Sequence, residues 1–161
     1  MLNLYLLRHG KAANPEDYEK DYDRPLNKKG VLQINQIGYK LQQQGDKIDQ
    51  LISSSALRTR QTAQTANFYL GINDVSYHDD LYLGSSDIIL KKIQSEGKSR
   101  AILYSGHNFG ISDLAGYFAD DLYSMSTGML IHFQFDLDDW KEITRGSGKV
   151  IEAYPPEVYI P

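Results

Sequence analysis

Four side chains in this 161-residue sequence stand where chemistry could be done. Arg8 and His9 follow the apolar run LNLYLL and precede Gly10. Arg58 lies just beyond the serines that end a second apolar run. His107 stands between Gly106 and Asn108, after the run AILYS. Arginine grips phosphate oxygens through a planar fork and stays charged at any working pH. Neutral imidazole is a good nucleophile near neutrality, because its ordinary pKa is about 6.5. A phosphoryl group in transit spreads negative charge over its equatorial oxygens. Two or three arginines can there take the part that Mg²⁺ plays elsewhere. The cluster therefore points to metal-free phosphoryl transfer through a phosphohistidine, with no cofactor. One RHG tripeptide alone is a weak signal. RHG, SxxxR and GHN at three such junctions form a constellation.

Other titratable residues read differently. His78 and His132 lack flanking glycines and are expected to be structural. A metal site built from His9, His107, Asp79 and Asp80 is disfavoured, because the adjacent arginines would repel a cation. Only one of Arg58 and Arg60 can face a given direction, and Arg58 is taken as the pocket residue. Lys28, Lys29, Lys91 and Lys92 read as solvated helix faces.

The elements that must position these residues alternate between strand and helix types. Strands are expected at Leu2–Leu7, Ile48–Ser53, Val75–His78, Ala101–Ser105, Met129–Phe135 and Val150–Tyr154. Helices are expected from Asn27 as cap to about Gln44, with Val31, Ile34, Gly38 and Leu41 inward, and over Ala56–Leu70. Two more follow, from Ser85 or Ser86 to about Ser95 and over Asn108–Phe118. Asn14–Arg24 reads as a polar surface loop, and the tail with Pro155, Pro156 and Pro161 as extended. This alternation predicts a three-layer α/β/α sandwich with a mostly parallel central sheet. Ligands of such sheets sit beyond the carboxyl ends of the strands, where RHG, SxxxR and GHN all fall.

Length and composition fit one domain over residues 1–161, with 41% apolar and 24% charged residues. There is no cysteine, which excludes disulfides, zinc–thiolate sites and thiol nucleophiles. The net charge of 17 − 21 = −4 argues against nucleic-acid binding, so phosphate must be drawn by a local positive cluster. No apolar stretch is long enough for a membrane span. The N-terminus does not read as a signal peptide, so a cytoplasmic location and a monomer are expected.

LYLLRHGK, DRPLNKKG, SSSALRTRQTA and LYSGHNFGISDL resemble, in order, the four motifs of the histidine phosphatase superfamily, the phosphoglycerate-mutase-like fold. The short length and the RPL element look most like its small phosphohistidine phosphatase branch (SixA-type). The similarity runs from about residue 2 to about residue 120, and nothing after Met129 matches a motif. The resemblance implies that His9 is the nucleophile that becomes phosphorylated. It implies that Arg8 and Arg58 bind phosphate and that His107 is the second pocket histidine. Arg24 resembles an extra phosphate contact of the short branch. Gly10 and Asn108 are further substrate-binding candidates, Asn108 through its backbone N–H.

Two departures from the larger members matter. They carry an Asn seven residues after the RHG arginine, where Pro15 stands here, and a Glu acid after the third strand. That region reads HDDLYLGSSD, and neither Asp79 nor Asp80 aligns with the acid. The expected function is a metal-independent phosphatase acting on phosphohistidine in proteins, of phosphorelay type. The alternatives are a broad phosphomonoesterase and a non-catalytic phosphate-binding module.

Overall fold

The computed structural model describes residues 1–156, so the part of the tail holding Pro161 lies outside the described residues. The central sheet has six strands: β1 (Leu2–Arg8), β2 (Gln50–Ser54), β3 (Asp74–His78), β4 (Ala101–Gly106), β5 (Leu130–Phe135) and β6 (Gly148–Tyr154). Their spatial order is β3-β2-β4-β1-β5-β6. Strands β1 to β4 pair in parallel, whereas β5 runs antiparallel to both β1 and β6. The segment after Met129, which carries no motif, thus completes the sheet beside the strand that delivers Arg8 and His9.

Why these runs become strands follows from burial on two faces. Every residue of β2 and β4 is buried. On β1, Leu4 and Leu6 enter one core with Ile52, Ile102, Tyr104 and Phe133. The intervening Tyr5 and Leu7 enter the other with Leu51, Leu103, Ile34 and Leu41. Period-two alternation in a central parallel strand therefore puts apolar groups on both sides and yields a continuous apolar run.

Helices α1 (Lys28–Gln44) and α2 (Leu57–Leu70) cover one face, and α3 (Ser86–Glu96) and α4 (Gly110–Ala119) the other. The Asn27 side chain caps α1 by accepting from the Gly30 N–H at 2.8 Å, and Gly45 ends it at φ 75°. The inward stripe of α1 is Ile34, Ile37, Gly38 and Leu41. Val31, expected inward, is exposed. At 100° per residue it lies about 60° round from Ile34, on the side away from Ile37.

The Asn14–Arg24 segment is more ordered than its composition suggests. Residues 11–13 and 25–27 hydrogen-bond to each other, with Ala13 N–H donating to Pro25 O and Asn27 N–H to Lys11 O, both at 2.9 Å. This closes a lobe containing two 3₁₀ turns, Pro15–Asp17 and Asp21–Asp23, the second of which meets α2.

The loop after β1 rests on the first turn of α1 through two glycines. A Cβ on Gly10 would lie 2.7 Å from the Gly30 carbonyl oxygen, and one on Gly30 would collide with the Lys11 carbonyl. Gly30→Ala is expected to lower stability by about 2 kcal/mol, the usual cost of overpacking, and to depress turnover by shifting His9. Gly71→Ala, at φ 66° with no atom within 4 Å, should cost ~1 kcal/mol of backbone strain and leave turnover intact. Urea unfolding and steady-state rates check both. Equal losses of activity in the two variants would contradict the coupling.

Candidate active site

Beyond the carboxyl ends of β1, β2 and β4 lies a pocket of about 410 Å³, lined by Arg8, His9, Arg24, Arg58, His107 and Asn108. Asp21, Ala12, Leu83 and Thr127 complete the lining. A larger groove of about 480 Å³ lies elsewhere, between α1 and the end of β6, and holds none of these residues. Six of the seven residues singled out in the sequence therefore converge. Gly10 does not line the pocket: its N–H donates to Thr62 Oγ1 and its carbonyl is engaged by His9. Its part is to orient a ring rather than to hold a substrate.

His9 is the centre of the arrangement. Its Nδ1 lies 2.7 Å from the Gly10 carbonyl oxygen. A carbonyl can only accept, so Nδ1 carries the proton and Nε2 keeps its lone pair. Nε2 faces the Arg58 Nε–H at 3.4 Å. Burial lowers the His9 pKa to about 4, and the charges of Arg58, Arg8 and Arg24 push the same way against the Gly10 hydrogen bond. His9 is thus a neutral imidazole at pH 7 whose unprotonated Nε2 lies beside Arg58.

His107 is neutral as well, lowered to about 2 by burial and by the neighbouring His9 and Arg58. Its ring meets that of His9 edge-on, with centroids 5.3 Å apart. Its Nε2 lies 2.8 Å from Ser54 Oγ, which already accepts from the Ala56 N–H. The Ser54 hydroxyl can therefore donate to Nε2, and in that tautomer the proton of the imidazole sits on Nδ1. That Nδ1 is buried and has no hydrogen-bond partner among the described residues, and the same holds for Nε of Arg8. Buried donors without acceptors are costly, and both suit an anion arriving in the pocket.

Each arginine is fixed by a different anchor. Arg8 donates through Nη1 to the Met125 carbonyl at 2.9 Å. Met125 also accepts from Asn108 Nδ2 at 3.2 Å, and Gly128 N–H reaches the Arg8 and His9 carbonyls. The 125–128 turn therefore straps the loop after β1. Arg58, only 3% exposed, donates Nη1 to the Asp21 carbonyl at 2.8 Å and Nη2 to Asp21 Oδ2 at 2.9 Å. Arg24 meets the other oxygen of the same carboxylate through Nε and Nη2, at 2.9 and 2.8 Å. Arg60 turns away and covers the Tyr77 ring at 4.1 Å.

Asp21 is a pocket residue that the sequence did not reveal. It lies inside the segment read as a surface loop, three residues before Arg24. That i, i+3 spacing to an arginine was its one signal. Burial raises its pKa, but hydrogen bonds from Tyr82, Arg24 and Arg58 outweigh this and hold it well below the usual carboxylate range. Tyr82 lies over Arg58, 5.9 Å from ring centroid to guanidinium carbon, and edge-on to His107 at 5.5 Å. With three guanidiniums, one carboxylate and two neutral imidazoles, the pocket carries 3 − 1 = 2 surplus positive charges.

The remaining acids and histidines stand apart. Asp79 accepts from Ser55 Oγ at 2.6 Å, and Asp80 pairs with Lys92 at 2.9 Å, which lowers its pKa. Neither lines the pocket. His78 contacts Ser76, His132 stacks on Tyr5 at 4.1 Å, and neither lines the pocket.

Comparison with known proteins agrees with this geometry. Residues 4–82 match the model of the histidine phosphatase superfamily, branch 1. A candidate phosphohistidine phosphatase SixA from Agrobacterium tumefaciens is 26% identical over 97% of this chain and 99% of that one, with a TM-score of 0.81. Another from Nakamurella multipartitia reaches a TM-score of 0.84 at 24% identity, covering 96% of each chain. An uncharacterized protein of Picosynechococcus sp. is 43% identical over 63 residues, 39% of this chain and 38% of that protein's length. The fold is phosphoglycerate-mutase-like, and the matched region carries Arg8, His9, Arg24 and Arg58. By fold, motif order and convergent pocket, the chain is similar to the histidine phosphatase superfamily, whose model covers just under half of it.

Proposed function

We propose that this phosphatase works without a metal, through a phosphohistidine intermediate on Nε2 of His9, and acts on phosphohistidine carried by proteins. The observation that carries the reading is the Nδ1–H to Gly10 carbonyl bond, which turns the Nε2 lone pair toward three guanidinium groups. The similarity to SixA-type structures supports the substrate class.

The chemistry balances without a proton in transit. A phosphohistidine substrate whose second ring nitrogen is protonated presents its phosphorus to His9 Nε2. The new P–N bond forms as the old one breaks, and the substrate leaves as neutral imidazole. Phospho-His9 keeps its Nδ1 proton on the Gly10 carbonyl. Water then attacks phosphorus, the P–Nε2 bond breaks, and dihydrogen phosphate and neutral His9 result. In both steps Arg8, Arg58, Arg24 and the His107 N–H face the equatorial oxygens, where negative charge gathers. The guanidiniums supply the charge that a divalent cation supplies elsewhere, which favours a reaction indifferent to chelators.

An alkyl phosphate makes a further demand, because its alkoxide must take up a proton as it leaves. A positioned acid typically contributes about 10²–10⁴ to that step. Asp21 is the one carboxylate lining the described pocket, and its ion pairs keep it ionised with no proton to give. Phosphohistidine and activated aryl phosphates should therefore be hydrolysed at least about 10²-fold faster than alkyl phosphates. Asp79→Asn and Asp80→Asn should leave that ranking unchanged. A selective loss of alkyl phosphate hydrolysis in either variant would make the broad phosphomonoesterase the better reading.

Two further outcomes follow from the electrostatics. Attack requires unprotonated His9, and a lowered pKa keeps it so well below neutrality. The acid limb of kcat/KM, corrected for titration of the substrate, should fall near pH 4, not near the ordinary histidine value of about 6.5. A limb above pH 6 would contradict the buried neutral imidazole. Asp21→Asn removes the shared anchor of Arg24 and Arg58, so kcat/KM should drop about tenfold. That is less than the 10²–10³ that follows loss of a direct donor. The melting temperature should fall as well, because the buried Arg58 loses the carboxylate that compensates its burial. Unaltered turnover in this variant would remove Asp21 from the site.

A further inference from the structure

One edge of the pocket mouth is apolar although nothing among the described residues covers it. Leu83 lines the pocket with 56% of its surface exposed, and Phe109, two residues after His107, is 81% exposed. The backbone of Leu83 sits at φ 50°, the left-handed region that a branched side chain adopts only at a cost. It is held there by its neighbours. Gly84 N–H donates to the Leu81 carbonyl at 3.1 Å, and Gly110 packs so close that a Cβ there would collide with the Gly84 carbonyl oxygen. This contact locks the loop after β3 to the loop after β4, and it brings Leu83 and Phe109 to one rim. Ile88, 40% exposed, stands in the next turn, and its Cγ2 would lie 3.4 Å from a Cβ on Gly84.

A strained residue that presents an apolar side chain to water does nothing useful in the free protein. It becomes useful when a partner covers it. Whatever carries the phosphoryl group into this pocket must pass Leu83. A small phosphorylated molecule fills the polar floor and ends there, whereas a protein carrier must also lie against Phe109 and Ile88.

Resting on the proposed phosphohistidine chemistry, we infer that Leu83 and Phe109 form a docking rim for a folded protein whose phosphohistidine is flanked by apolar surface. The rim fixes which carriers are accepted. The pocket beneath it fixes the reaction.

The test compares two substrates on the full chain. One is the free amino acid N-phosphohistidine. The other is a histidine-containing phosphotransfer domain phosphorylated chemically with phosphoramidate. The variants are Phe109→Ala and Ile88→Ala, which remove exposed side chains outside the pocket lining. Each should lower kcat/KM for the protein carrier on the order of tenfold, as truncating an interface anchor does, and leave free phosphohistidine within about twofold. Equal losses on both substrates, or no loss on the carrier, would overturn the rim. So would a concentration-dependent dimer of the wild type that Phe109→Ala dissolves, because the patch would then seat a second copy. Wild-type activity on free phosphohistidine but none on the carrier overturns the docking surface and spares the chemistry of the pocket. Activity on neither, with alkyl phosphates turned over, overturns both.

Discussion

A histidine surrounded by guanidinium groups cannot keep a second proton, and the rest of the site depends on that. His9 is buried beside Arg8, Arg24 and Arg58, so its charged form is penalised by lost solvation and by repulsion. The same three charges that forbid a cationic imidazole favour a phosphoryl anion next to it. A single bond then decides which nitrogen keeps its lone pair. The Gly10 carbonyl accepts a hydrogen bond from Nδ1–H, and the lone pair is left on Nε2 beside Arg58. Gly10 can lie where it does because neither it nor Gly30 carries a side chain where the loop crosses α1.

Concentrating positive charge in a protein of net charge −4 has its own difficulty. Burying a guanidinium costs several kcal/mol unless it is hydrogen-bonded. The structure meets this in two ways. Asp21 offers one carboxylate oxygen to each of Arg24 and Arg58 and its carbonyl to Arg58 as well. Arg8 rests on the Met125 carbonyl but keeps a buried Nε without a partner among the described residues. An unmet buried donor costs about 1–3 kcal/mol, which an arriving phosphate oxygen would recover. Asp21 lowers the positive surplus without abolishing it, so the site can bind an anion and still release one.

Much of this was legible in the sequence, for definite reasons. Strands β1, β2 and β4 are buried on both faces, so they read as unbroken apolar runs. The parallel-sheet rule then places Arg8, His9, Arg58 and His107 at one edge. Asn27 and Gly45 marked the ends of α1 because capping is local chemistry. The misses are all non-local. Asp21 was hidden because a polar, tyrosine-rich segment reads as surface, and only the pairing of residues 11–13 with 25–27 folds it over the pocket. Gly10 was assigned to substrate because it neighbours His9, but the Thr62 hydroxyl takes its N–H from across the fold. Val31 fell just off a stripe whose centre is set by packing against α2. The strap at 125–128 had no signal, since its hydrogen bonds to Arg8 and His9 come from main chain.

The claim on which everything turns is that phosphorus becomes bonded to Nε2 of His9. Rapid quench of the wild-type protein with ³²P-labelled phosphohistidine substrate, followed by peptide mapping under alkaline conditions, tests it directly. The account predicts an acid-labile, alkali-stable label on the peptide containing His9, attached at Nε2, formed and lost at rates compatible with turnover, and absent from His9→Ala, which should be inactive. Label on another residue, or turnover by His9→Ala at the wild-type rate, would contradict it.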